Sequence, residues 1–193
     1  IAWLAIDDSE ICQKLIRYAP EILIADGDPS NLSLEDRIRA VGSFAERYGS
    51  RGRATLHFDH LNLKRFASPG LGEALRDLIT EPSLGPQVKE TLLEIVREGG
   101  LESAVDAALT VALNPGEQES VRFDAIRAVG KLGSNVQKTE LASLKSQASE
   151  WGHDLVGAFV EVMYPDMLSA RELLELLSGL SPKPRNLATF LDS

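Results

Sequence analysis

From Ser68 onwards the sequence repeats one helical pattern at a spacing of about 33 residues. The corresponding apolar sets are Val88, Leu92 and Val96, then Val121, Ala125 and Val129, and then Leu155, Phe159 and Met163. The sets are separated by 121 − 88 = 33 and by 155 − 121 = 34 residues, and each has the i, i+4, i+8 spacing of one helix face. A lone helix hairpin cannot bury its apolar face, so hairpins repeated at this period must stack on their neighbours. The sequence therefore predicts an all-α fold, an α–α superhelix of stacked hairpins.

Glycine, proline and asparagine separate the predicted helices. The breakers are Gly85-Pro86, Gly99-Gly100, Asn114-Pro115-Gly116, Gly133-Ser134-Asn135 and Gly152. Each unit is thus a helix, a turn and a second helix. We predict three units within residues 68–167, an irregular helical part over residues 1–67, and a cap or linker over residues 168–193.

The first third of the chain carries helix start and stop signals without the same period. Ser9 is the predicted cap of a helix that continues to Tyr18, and Pro20 opens a short helix. Ser33-Leu34-Glu35-Asp36 resembles a capping box and predicts a helix as far as Tyr48. The residues that we expect this helix to bury are Ile38, Val41, Phe44 and Ala45. Residues 55–58 fit either a short extended piece or an ordered loop.

Charge and cysteine content restrict the classes of partner. The 20 basic and 29 acidic side chains give a formal charge of −9, which repels phosphate backbones and argues against general nucleic-acid or anionic-membrane binding. The single cysteine, Cys12, excludes an internal disulfide and favours a reducing, cytoplasmic setting. The sequence has no apolar run of membrane-spanning length. It begins with Ile1, and we expect it to be a fragment of a larger protein.

The segment from Pro115 to Gly133 resembles a HEAT-type repeat. The residues that carry the resemblance are Val121, Arg122, Asp124, Ala125, Ala128 and Gly130. The units on either side depart from the pattern, with Lys89 and Val156 at the position of Arg122. In HEAT-like stacks the Arg and Asp of the second helix interact along the array, so the resemblance implies a structural role for Arg122 with Asp124.

A longer series of short motifs is similar to the C-terminal helical-repeat region of bacterial NACHT-type STAND ATPases. The motifs are residues 19–23 (APEIL), 33–37 (SLEDR), 66–71 (FASPGL), 164–169 (YPDMLS) and 185–187 (RNL). The resemblance implies a sensor or regulatory arm of a signalling or antiphage-defence ATPase, whose partners are proteins or other domains of the parent chain. The phosphate-binding pattern GxxxxGK[ST] is missing, because Gly130-Lys131 is preceded by Ala125 and followed by Leu132. We therefore expect no cofactor in this segment.

Candidate catalytic and metal-binding residues each have a simpler interpretation. His57-Phe58-Asp59-His60 has suitable ligand chemistry, but the two imidazoles have no third ligand nearby in sequence. Asp7-Asp8-Ser9-Glu10 places carboxylates where they complement a helix dipole. Cys12 lies in a helical pattern that favours burial over an activated thiolate. We assign no catalytic, cofactor-binding or metal-binding residue.

Five basic residues around the irregular stretch are the predicted partner-binding candidates: Arg47, Arg51, Arg53, Lys64 and Arg65. Guanidinium groups there can grip a phosphate or an acidic partner, whereas the alternative is solvated charge pairing with Glu46 and Asp59. Trp3 and Trp151 are interpreted as packing residues. The sequence thus favours a non-catalytic protein-interaction or sensor scaffold. A nucleic-acid-binding helical repeat and a metal-dependent hydrolase are the alternatives.

Overall fold

The computed structural model describes residues 3–26, 28–49 and 58–179. These residues form twelve α-helices, and no strand occurs among them. The helices are α1 (Leu4–Asp7), α2 (Ser9–Tyr18), α3 (Pro20–Ala25), α4 (Leu34–Tyr48), α5 (His60–Phe66), α6 (Leu71–Thr80), α7 (Pro86–Gly99), α8 (Val105–Leu113), α9 (Glu119–Leu132), α10 (Asn135–Ala142), α11 (His153–Met163) and α12 (Ala170–Ser178). The prediction of an all-α fold is confirmed.

The helices contact one another in two rows. In the first row α5 packs on α7, α7 on α9, and α9 on α11. In the second row α4 packs on α6, α6 on α8, and α8 on α10. Contacts of α6 with α7 and of α8 with α9 join the rows, so successive hairpins stack on each other. A superhelical path of this stack and its division into HEAT-like repeats stay predictions.

The repeated apolar positions form the core between the rows. All nine residues of the three sets are at most 2% exposed in the folded chain. Full burial of a Val, Leu, Phe or Met side chain stabilises a fold by roughly 1.5–3 kcal/mol. Contacts between α7, α9 and α11 therefore follow directly from the sequence period.

The helix starts in the first third follow the sequence signals with one shift. Asp8, not Ser9, caps α2, because its carboxylate accepts hydrogen bonds from the Glu10 and Ile11 amides at 2.8 and 3.2 Å. The Ser33 cap of α4 is confirmed by the Asp36 amide, which donates to the Ser33 hydroxyl at 3.1 Å.

The buried face of α4 differs from the predicted face at one residue. Val41, Phe44 and Ala45 are buried as predicted, but Ile38 is 37% exposed. The neighbouring Arg37 points inward in its place and is only 5% exposed. Adjacent helical residues point about 100° apart, so the two cannot share the centre of the buried face.

Arg37 ties the start of α4 to the end of α5. Its Nε donates to the Leu32 carbonyl, its Nη2 to that of Ser30, and its Nη1 to the carbonyls of Arg65, Phe66 and Ala67, over 2.6–3.2 Å. Burial lowers the pKa of this guanidinium, although an arginine stays charged in such a site. A cation on the last carbonyls also complements the negative end of the α5 dipole.

A glycine permits the close approach of α9 and α11. A Cβ atom at Gly130 would lie 2.3 Å from Cγ2 of Val162, which is far inside van der Waals contact. The two helices therefore pack at a distance that any larger residue at 130 would increase.

Candidate interaction surface

A groove runs along the exposed face of the first row, between α9 and α11. We call it the acidic groove. Its volume is about 770 Å³, and its lining carboxylates are Glu90, Glu119, Asp124, Asp154 and Glu161. Among the described residues that line it, five carry carboxylates and one, His153, carries a basic group.

Asp124 is a strongly perturbed carboxylate of the groove. Its side chain is 15% exposed, and its Oδ1 lies 3.5 Å from Nη1 of Arg97 on the neighbouring helix. Burial, with further contributions from the charges of Glu94 and Glu90, raises the pKa of Asp124 to about 7, although Arg97 opposes this shift. A carboxylate in this setting gains from any further positive charge that reaches the groove.

The floor of the acidic groove is apolar. Phe123 is half-buried there, and Leu155 and Ala158 also line it. Gly157 lies between these two, in the interior of α11. Aromatic side chains are enriched in protein-binding surfaces.

A second groove of about 470 Å³ adjoins the first, and both are lined by Glu161. It contains ion pairs that cross from helix to helix. Glu98 on α7 accepts from Arg97 Nε at 2.8 Å and from Lys131 of α9 at 3.1 Å, and it lies 3.9 Å from His60 Nδ1 of α5. Arg127 of α9 pairs with Glu161 of α11 at 3.2 Å. These contacts fix the relative positions of neighbouring helices in the row.

Within the segment 57–60, the structure describes Asp59 and His60 as parts of the start of α5. His60 is the first residue of α5 and its side chain is 66% exposed, and Asp59 caps the helix by accepting from the Leu61 amide at 2.8 Å. His57 lies outside the described residues. Within the described ranges no three His, Cys, Asp or Glu residues are grouped to hold a metal ion.

The basic candidates that the structure describes lie on α4 and α5. Lys64 and Arg65 are exposed at the end of α5, next to the start of α4, where Arg37 contacts the Arg65 carbonyl. Arg47 is exposed in the last turn of α4, ten residues after Arg37, which corresponds to about 15 Å along the helix. Arg51 and Arg53 lie outside the described residues. Partner binding by these residues stays a prediction.

The proposed Arg122–Asp124 pair is replaced by two other contacts. Arg122 is buried, its Nε donates to the Ala112 carbonyl at 3.1 Å, and its guanidinium lies 5.0 Å from the ring centre of Trp151. Asp124 instead pairs with Arg97. Residues two apart on a helix point to different sides, so each meets a different neighbour.

The other singled-out residues divide between core and surface. Trp151 packs edge-on against Phe159 and is 8% exposed, as a packing residue should be, whereas Trp3 is 64% exposed. Cys12 is buried as predicted, and burial raises the pKa of its thiol. That shift opposes formation of a reactive thiolate.

The sequence did contain a signal for the acidic groove. Several lining residues occupy equivalent repeat positions: Ser120 and Asp154, Phe123 and Gly157, and Asp124 and Ala158 are each 34 residues apart by the spacing of the apolar sets. Positions that lie between the core residues of every unit must fall on one face of the stack. Of the six residues in these pairs only Asp124 and Asp154 are acidic, so the alignment locates the face but not its charge.

No helix in the described part of the chain has both the length and the apolar character needed to cross a membrane. Comparisons with protein-family models, curated proteins and solved structures give no significant match to this chain.

Proposed function

We propose that this segment is a non-catalytic protein-interaction module, and that it serves as the sensor or regulatory arm of a larger bacterial signalling ATPase. The observation that supports the module is the acidic groove with its apolar floor, which lies on the exposed face of the first row. The resemblance to NACHT-type repeat regions supports the regulatory role.

The shape of this face suits a protein better than a small substrate. The acidic groove of about 770 Å³ continues through Glu161 into the second groove of about 470 Å³, so one partner segment can follow both. The carboxylates repel phosphate groups, which disfavours the alternative of nucleic-acid binding at this face.

Ion pairs between neighbouring helices of the first row can transmit a structural change along it. Ion pairs join α7 to α9 and α9 to α11, so a partner that shifts one helix changes the contacts of the next. In the proposed role, binding at the face alters the stack, and the stack passes the change to the ATPase part.

Position-specific photo-crosslinking tests the use of this face. A photoreactive amino acid is placed in the groove at Ser120 or at Gly157, and on the second row at Thr110 or Thr139 as matched exposed controls. We expect a discrete protein adduct from the groove positions, with much lower yield from the controls. Equal yields from both rows would refute a dedicated binding face.

A deletion tests the regulatory role separately. Removal of this segment from the parent protein should abolish regulation and leave nucleotide binding by the ATPase part intact. Loss of nucleotide binding on deletion would contradict that division of labour.

A further inference from the structure

The helix that begins with α10 changes its backbone form halfway along its length. α10 ends at Ala142, and Ser143–Glu150 follow directly as a 3₁₀ helix of eight residues, which we call the 3₁₀ segment. This form has poorer hydrogen-bond geometry than an α-helix, and runs longer than three or four residues are uncommon. A long 3₁₀ stretch within a helix often marks a hinge or a sequence under strain. The 3₁₀ segment is therefore a place where the stack can rearrange.

Arg122 of α9 faces the end of this segment and lacks an acceptor for part of its guanidinium. The side chain is buried, its Nε donates to the Ala112 carbonyl at 3.1 Å, and the group lies 5.0 Å from the ring centre of Trp151. The Nη2 atom is buried as well and donates to no acceptor among the described residues. A buried donor without a partner is destabilising, so the guanidinium gains from an acceptor that comes within reach.

The equivalent contact one period earlier indicates which acceptor that is. Lys89 holds the position of Arg122, since 122 − 89 = 33, and its Nζ lies 2.6 Å from the carboxylate of Glu117. The same period leads from Glu117 to Glu150, since 117 + 33 = 150. Glu150 is exposed at the end of the 3₁₀ segment, and the next residue is Trp151, whose ring contacts the guanidinium. A carboxylate equivalent to that of Glu117 is thus one residue away from the contact of Arg122.

The residues before the two carboxylates explain why only one of them is paired. Residues 114–116 are Asn-Pro-Gly and form a turn, which places Glu117 outside the helix. Residues 147–149 are Gln-Ala-Ser, and the helical backbone continues through them to Glu150. Proline and glycine end helices, whereas glutamine, alanine and serine do not. The continued 3₁₀ backbone therefore keeps Glu150 away from Arg122.

We propose that the 3₁₀ segment has a second conformation, in which its last turn opens and Glu150 pairs with Arg122. The opened residues 147–150 take the form that residues 114–117 already have one period earlier. The guanidinium exchanges the Trp151 ring for a carboxylate, and Nη2 gains its acceptor. The two conformations differ by one turn of backbone and one ion pair.

This change would reach the acidic groove through the connection to α11. Trp151 and Gly152 join the 3₁₀ segment to α11, and the Gly152 amide donates to Glu119 at 3.1 Å. Glu119 and His153 both line the acidic groove, so a shift of the connection moves one edge of it. Binding at the groove would then favour one of the two conformations. This link rests on the proposed function, whereas the two conformations themselves do not.

NMR relaxation dispersion on the full chain tests whether the second conformation is populated. We expect microsecond-to-millisecond exchange at the Trp151 indole and at the amides of residues 147–152, with a minor state on the order of 1%. Glu150→Gln should lower the minor-state population at least about fivefold, because it removes the charged acceptor. The matched control Glu140→Gln removes an exposed carboxylate from α10 and should leave the exchange unchanged. Absence of exchange over residues 147–152, or equal exchange in the Glu150→Gln variant, would overturn the proposal.

A turn graft should make the second conformation the major one. The triple variant Gln147→Asn/Ala148→Pro/Ser149→Gly copies residues 114–116 into the equivalent positions. In this background a double-mutant cycle of Arg122→Met and Glu150→Gln should show about tenfold coupling in the unfolding equilibrium constant, against less than about twofold in the wild-type background. Equal coupling in the two backgrounds would refute the exchange of partners.

The two experiments fail independently of each other and of the proposed function. The relaxation measurement uses the wild-type chain and does not depend on folding of the graft. If the graft shows the expected coupling but the groove positions give no protein adduct, the two conformations stand while the proposed function fails.

Discussion

Replacement of Arg37 by alanine should destabilise the junction of α4 and α5 more than any ordinary surface substitution. The guanidinium is 5% exposed and donates five hydrogen bonds to backbone carbonyls. Two of those bonds, to Leu32 and Phe66, are buried, so their acceptors would lose a partner away from water. Each unsatisfied buried acceptor costs roughly 1–3 kcal/mol.

The expected loss follows from these bonds. Two orphaned acceptors, at roughly 1–3 kcal/mol each, and a lost cation at the end of α5 give a decrease of about 3–5 kcal/mol in the free energy of unfolding. The matched control is Arg39→Ala, two residues along the same helix. Arg39 is 45% exposed and lies 3.6 Å from Asp36, so its removal should change stability by less than about 0.5 kcal/mol.

Urea denaturation followed by circular dichroism measures both variants. Native-state hydrogen exchange adds a positional readout, because in a stack of hairpins the loss should appear in the amides of α4 and α5 before those of α9 and α11. A difference of less than about 1 kcal/mol between the two alanine variants would refute the role assigned to Arg37.

Three further predictions concern the packing of α9 on α11, the protonation of Asp124, and the ion pair between Lys89 and Glu117. Gly130→Ala should lower the free energy of unfolding by about 1–3 kcal/mol, because the added methyl group overpacks against Val162. Combining it with Val162→Ala should recover part of that loss. If the losses of the two substitutions simply add in urea denaturation, the close contact is contradicted. Folding raises the pKa of Asp124 from 3.8 to about 7, so the folded protein holds a proton that the unfolded chain releases, and stability from this group falls as pH rises between these values. Relative to the wild type, Asp124→Asn should therefore be less destabilising at pH 8 than at pH 5, and a constant difference across urea titrations would refute the shift. Glu117→Gln should cost more than Lys89→Met, because it leaves a lysine that is 4% exposed without its carboxylate at 2.6 Å, whereas Glu117 is 15% exposed and can regain water; the reverse order of thermal midpoints would contradict this asymmetry.

The parts of the fold that depend on apolar spacing were predictable from the sequence. Val88, Val121 and Leu155 mark equivalent buried positions of α7, α9 and α11, because a helix face is a local property of the chain. The burial of Arg37 was not predictable in this way, since arginine is normally exposed and its carbonyl acceptors include residues of α5, nearly 30 residues away.

The residues of the acidic groove were only partly predictable from the sequence. The acidic groove combines side chains from three helices, and their convergence depends on how those helices pack. The resemblance to HEAT repeats suggested an Arg122–Asp124 contact, but side-chain direction sends Arg122 to Trp151 and Asp124 to Arg97. Which of two nearby residues meets a neighbouring helix depends on packing that sequence spacing does not specify.

The ion pairs and hydrogen bonds that join the helices have a consequence for how such a chain can change its length. Arg127 and Glu161 are 34 residues apart, Lys131 and Glu98 are 33, and the Gly152 amide donates to Glu119 across 33. Each of these bonds joins α9 to the neighbouring α7 or α11. Duplication of a helix pair at this spacing would therefore preserve bonds of the same kind between neighbouring helices. Such short-range connectivity also favours rapid folding that spreads from any one hairpin to the next.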